Sequence, residues 1–79
     1  MSVAKVIEIS STSQQSFEDA IKRGVQRATS SLRGVQSAWV KEQSVAIENG
    51  QISGYRVNLM ITFILSDGDD VQSGSRAGA

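Results

Sequence analysis

The stretch VQSAWVKEQSVAIENGQISGYRVNLMITFIL, Val35 to Leu65, decides the fold. It reads as two long strands joined by a tight turn. The outgoing strand runs from Val35 to Ile47, Glu48-Asn49-Gly50 makes the turn, and the return runs from Gln51 to Leu65. Asparagine and glycine both tolerate positive φ, which a two-residue hairpin turn requires. Alternation puts Tyr55, Val57, Leu59, Ile61, Phe63 and Leu65 on one face of the returning strand. The other face keeps Met60 and Ile64, and the outgoing strand adds the lone Trp39. The nearly continuous apolar run from Val57 to Leu65 fits a central strand buried on both faces. Gly54, early in that strand, marks a candidate bulge.

Working outward, residues Ser16 to Leu32 predict the one helix. Phe17, Ala20, Ile21, Gly24, Val25, Ala28 and Leu32 follow helical spacing and form a single apolar stripe. Ser13 is the candidate N-cap, with Ser16 as the alternative. Glu18 and Asp19 in the first turns and Arg33 at the end suit the helix dipole, and Gly34 suits the C′ position. Gly24 inside the stripe costs about 1 kcal/mol of helix propensity, and close helix–sheet approach is its expected compensation. Before the helix, Val3 to Ser10 reads as a first strand rich in β-branched residues. The order is β-α-β-β, an α+β domain over residues 1–65. If the last strand lies centrally, every pair in its three-stranded sheet is antiparallel. Residues 66–79 hold mostly serine, glycine, aspartate and alanine, and are expected to form a disordered polar tail.

Composition narrows the function. The chain has 79 residues, small enough that a staple is often needed. It contains neither cysteine nor histidine, so neither a disulfide nor a cysteine–histidine metal cluster supplies one. Oligomerisation is the remaining route. One helix covers one face of the sheet, so the second face must meet protein or ligand, and function is expected between subunits. Eight basic residues balance eight acidic ones, which leaves no electrostatic footprint for nucleic acid or an anionic membrane. No apolar run is long enough to span a bilayer and no secretory segment is visible, so a soluble cytoplasmic protein is expected. The common nucleophile–base pairs of catalysis need histidine or cysteine. Gly24, Gly34 and Gly50 match no phosphate-binding loop. The chain is read as a binding protein and not an enzyme.

The segments Ser2-Val3-Ala4-Lys5-Val6-Ile7-Glu8-Ile9, Thr12-Ser13 and Ser16-Phe17-Glu18-Asp19-Ala20-Ile21 resemble the opening of a dodecin. Val40-Lys41-Glu42-Gln43, Tyr55-Arg56-Val57 and Thr62-Phe63 resemble its hairpin. The resemblance implies a β-α-β-β subunit of a hollow homododecamer. It also implies a storage or buffering role for a flavin such as FMN or riboflavin, often held as stacked pairs between subunits. Two positions depart from the flavin-binding pattern. Ser37 stands where the stacking tryptophan usually lies, with Trp39 two residues on, and Arg56 stands where a glutamine is usual. Tyr-Arg-Val together with Glu-Gln in the hairpin is similar to a second group, the calcium dodecins, for which flavin binding is not the expected property.

The candidate ligand-binding residues are therefore Trp39, Ser37, Arg56 and Gln43. Trp39 and Ser37 alternate onto the face opposite Ala38 and Val40, which suit packing under the helix. An outward tryptophan offers a flat apolar surface for an isoalloxazine ring, or packs against a neighbouring subunit. Arg56 donates to a flavin carbonyl or phosphate but cannot accept, whereas a glutamine amide does both. An intersubunit ion pair with Glu42 or Glu48 is its alternative. Gln43 and Lys41 are expected to share the outer face with Trp39. Asp67-Gly68-Asp69-Asp70 lacks EF-hand spacing and reads as a solubilising segment. A calcium site assembled from one carboxylate per subunit, such as Glu8 or Glu18, is left open. The primary expectation is a flavin-binding homo-oligomeric shell, and the alternative is a structural or calcium-binding assembly without flavin.

Overall fold

The computed structural model describes residues 3–65. β1 (Val3–Ser13), α1 (Phe17–Ser31), β2 (Val35–Glu48) and β3 (Gln51–Leu65) follow the β-α-β-β order. The sheet order is β1-β3-β2 with both pairings antiparallel, so β3 is the central strand. Asn49 and Gly50 take φ of 54° and 75° and close the expected hairpin between Glu48 and Gln51. The anticipated polar tail, 66–79, lies outside the described residues.

One line of contact builds the core. α1 presents Ala20, Gly24 and Ala28 to the sheet, and β3 answers with Val57, Leu59 and Ile61. Small residues on the innermost line of the helix bring its backbone down onto the strand. A Cβ on Gly24 would stand 2.7 Å from Leu59 Cδ1 and 3.1 Å from Ser11 Cβ. Phe17, Ile21, Val25, Leu32, Ile7, Ile9 and Val35 ring this centre as half-buried neighbours. Phe17 meets Tyr55 edge to face with ring centroids 5.1 Å apart, a favoured aromatic geometry.

The segment between β1 and α1 is organised differently from its sequence reading. β1 continues past Ser10, and Ser11, Thr12 and Ser13 pair with Val57, Arg56 and Tyr55. The central strand supplies ladder partners for these polar residues, so tertiary context overrides their weak strand propensity. Ser16, not Ser13, is the N-cap, and its Oγ accepts from the Asp19 N–H at 2.9 Å. The buried Ser13 hydroxyl accepts from the Gln15 N–H at 2.9 Å and donates to Asp19 Oδ2 at 2.6 Å. Arg23 Nε donates to the same carboxylate oxygen at 2.7 Å. Asp19 thus ties the end of β1 to the first two turns of α1.

The far end of α1 also departs from expectation. Leu32 is the C-cap, in extended conformation, with its N–H bonded to Ala28 O. Arg33 falls beyond the last turn, which carries no base. Gly34 is therefore one residue past C′. Its φ of 72° swings the chain into β2, where its carbonyl accepts from the Ile64 N–H at 2.9 Å.

α1 lies over β3 and β1, and β2 is exposed along nearly its whole length. Ala38 and Val40 pair with Ile61 and Leu59 and so share the helix side, yet Val40 is 39% exposed. They line a cleft beside the helix instead of lying under it. β2 bulges at Gln36 and again at Lys41, where the pairing register shifts. A third shift leaves Ser53 of β3 as the extra residue, beside the bulge candidate Gly54.

Two outcomes are expected from this packing. Gly24→Ala gains about 1 kcal/mol of helix propensity but overpacks Leu59 and Ser11, a strain of about 1–3 kcal/mol. Its urea midpoint should fall, and a raised midpoint would show that Leu59 swings aside and leaves only the propensity gain. Asp19 is held below its ordinary 3.8 first by the Ser13 hydrogen bond and then by Arg23. A carboxyl depressed on folding contributes stability that is present above 3.8 and lost as pH falls further through its folded value. Ser13→Ala should raise the pH at which Asp19 titrates by NMR, and an identical titration would remove Ser13 as the cause.

Candidate binding face

The face of the sheet away from α1 has no element over it among the described residues. Its membership follows from the ladder, because directly paired residues share a face. Trp39 opposes Met60, Ser37 opposes Thr62, and Glu8 opposes Met60 from the other side. Trp39 is 51% exposed and Val6 is 42% exposed, with Met60 and Ile64 half-buried. The result is an apolar surface at the Val3/Leu65 end of β1 and β3, with a large flat indole in it.

A polar band crosses the same face next to that surface. Lys41 Nζ reaches over β3 to Glu8 Oε1 at 3.3 Å, and Asn58 Nδ2 donates to Glu42 Oε1 at 2.8 Å. Both contacts put Lys41 and Glu42 on the outer side together. The bulge at Lys41 is the reason, since one extra residue in β2 shifts everything after it to the other face. Gln43 consequently pairs with the buried Val57 and belongs to the helix side of the sheet. Its expected place beside Trp39 is corrected on this ground, and Glu42 stands there instead. Lys41 is on the outer face as expected.

Ser37 and Trp39 are brought together, two residues apart on one face of one strand. Arg56 shares the face, paired with Ser44 and Thr12. It lies four residues along β3 from Met60, about 13 Å at a rise of ~3.3 Å per residue. Beside it is a shallow depression of about 150 Å³ bordered by Thr12, Ser44, Tyr55 and Arg56. One subunit therefore does not gather Trp39 and Arg56 around one small ring. Asn58 sits between them and Met60 lies directly beside Trp39, both absent from the sequence candidates. Asn58 had a sequence signal, as the polar interruption of an otherwise apolar run.

Among the described residues, no group of three or more acidic, histidine or cysteine side chains is placed to hold an ion. Glu8 and Asp19 face basic partners, and Glu42 accepts from Asn58. The Asp67-Gly68-Asp69-Asp70 cluster lies outside the described residues. No helix is long and apolar enough to cross a membrane among the residues described.

The chain's relatives share this plan. The family model described as Dodecin matches residues 3–66. The chain is 41% identical over 63 residues to a protein of Mycobacterium tuberculosis named calcium dodecin, covering 80% of this chain and 89% of that one. A crystal structure of the calcium dodecin of M. tuberculosis, described as calcium-chelating with a novel calcium-binding site, superposes with a TM-score of 0.72 at 38% identity, covering 85% and 96% of the two chains. A point variant of the Thermus thermophilus dodecin superposes with a TM-score of 0.79 at 32% identity, covering 84% and 98%. With a family match over all the described residues and a single-helix, three-stranded antiparallel fold in common with these structures, the chain belongs to the dodecin family.

Proposed function

We propose that this chain is the subunit of a homo-oligomeric shell, a homododecamer, that binds and sequesters a small planar ligand of the flavin class, FMN or riboflavin. The observation that carries the reading is Trp39, half exposed on a sheet face that no element among the described residues covers. Membership of the dodecin family supports the shell. In this reading the indoles of adjacent subunits stack on the isoalloxazine. Ser37 lines the same face, and Arg56 of another subunit donates to a carbonyl or phosphate at the ligand's edge. Contribution from a second subunit follows from the span between Trp39 and Arg56 on one chain. Gln43, turned to the helix side, takes no part. The role is binding and not catalysis, since the face offers no histidine or cysteine to form or break a bond.

A second reading is favoured by a separate observation, the 41% identity to a protein named calcium dodecin. A calcium ion takes six to eight oxygen ligands, more than any cluster of one subunit's described residues provides. The site would then draw carboxylates, such as Glu8 or Glu18, from several copies.

One set of titrations separates the two. Flavin fluorescence should be quenched at micromolar protein, and Trp39→Ala should weaken binding by about tenfold or more, roughly 1.4 kcal/mol. Unquenched flavin, or an unaffected Trp39→Ala variant, rules the stacking site out. If calcium is the ligand, calcium raises the melting temperature and EDTA lowers it while flavin does neither.

A further inference from the structure

The hairpin tip is apolar and, among the described residues, nothing covers it. Ile47 and Ile52 oppose each other across β2 and β3 and are 65% and 55% exposed. The tip projects beyond β1, whose last residue Ser13 pairs with Tyr55. Glu48 follows Ile47 at the turn and makes no ion pair among the described residues.

A surface of matching chemistry lies elsewhere on the subunit. Between α1 and β1 runs a groove of about 420 Å³, with Ile7, Ile9, Ala28 and Leu32 among its walls and Arg23 and Arg27 at its edge. Arg23 is engaged by Asp19, whereas Arg27 makes no ion pair among the described residues. We propose that the hairpin tip of one copy seats in the α1–β1 groove of a second copy, with Ile47 and Ile52 on the apolar walls and Glu48 against Arg27. This rests on the oligomeric reading above and names the contact that builds it.

Two observations single out this pairing. The tip cannot fill its own groove. Ile9 pairs with Leu59, seven residues along the continuous strand β3 from Ile52, or about 23 Å away. The companion cleft on the other flank of α1, about 410 Å³, has no charged residue in its lining and offers Glu48 nothing. Tip and groove are different surfaces, so the contact is heterologous. Each copy gives one tip and receives another, an arrangement that closes into a ring when the rotation allows. The ring would be one face of the closed shell.

Size exclusion with light scattering tests the contact on the full chain, with circular dichroism to check folding. Wild type should be oligomeric. Ile47→Asp with Ile52→Asp should shift the mass toward the monomer while the spectrum is retained, because both side chains are already exposed in the subunit. Glu48→Arg and Arg27→Glu should each lower the mass, and the two together should restore it. If the aspartates leave the mass unchanged, the tip faces solvent or some other partner and the contact is overturned. A combined reversal that assembles no better than either single one overturns it as well, and decides the matter even if the aspartate variant fails to fold. A monomeric wild type overturns the oligomeric reading itself, a result distinct from intact assembly in the variants.

Discussion

The approach of α1 to β3 at Gly24 sets the rest of the molecule. With no side chain at that position, the helix backbone comes down until Leu59 and Ser11 fill the space a Cβ would need. That contact centres the helix on the middle strand and leans it toward β1. Val57, Leu59 and Ile61 are sealed beneath it. β2 is left without cover, not only on the outer face but also on much of the side the helix occupies. A bulkier residue at 24 would raise the helix and loosen the one buried cluster among the described residues.

Given that placement, the bulges of β2 decide what its uncovered surface presents. Before Lys41, the outer face receives Ser37 and Trp39 against Thr62 and Met60. After it, the face receives Glu42 and Ser44 against Asn58 and Arg56, and Gln43 is turned away. The bulge therefore marks a boundary between an apolar, indole-bearing zone and a polar band tied by Lys41–Glu8 and Asn58–Glu42. Irregular pairing also blunts β2 as an edge strand, which discourages indiscriminate strand addition. An uncovered strand with this protection is suited to contacts made by side chains.

The sequence is most legible where local chemistry and tertiary packing agree. Asn49-Gly50 specified its turn, the stripe from Phe17 to Leu32 specified the buried side of the helix, and Gly24 foretold the close approach. Strand order followed from the apolar run in β3. It failed where the outcome depends on a partner distant in sequence. Ser11 to Ser13 look like a loop until β3 supplies their ladder partners. Ser13 looks like a cap because its hydroxyl does bond nearby groups, Gln15 N–H and Asp19, though the cap itself is Ser16. Simple alternation puts Gln43 beside Trp39, and nothing local in Val40-Lys41-Glu42-Gln43 announces the bulge that turns it away. The outer face was legible as an uncovered surface, but its detailed membership was not.

The small core also bears on how a ligand would act. Among the described residues, the large side chains that are fully buried are Val57, Leu59 and Ile61. The exposed Val3, Trp39, Ile47 and Ile52 are apolar surface the isolated subunit leaves in water. In the proposed shell, neighbours bury that surface, so folding and assembly share one source of stability. In that shell, a ligand between Trp39 residues of different subunits would bind only the assembled form. It then stabilises the shell by mass action, and by reciprocity assembly must tighten ligand binding by the same factor. Such a site comes into being with the oligomer, so the protein concentration at which subunits associate also sets where the ligand begins to be retained.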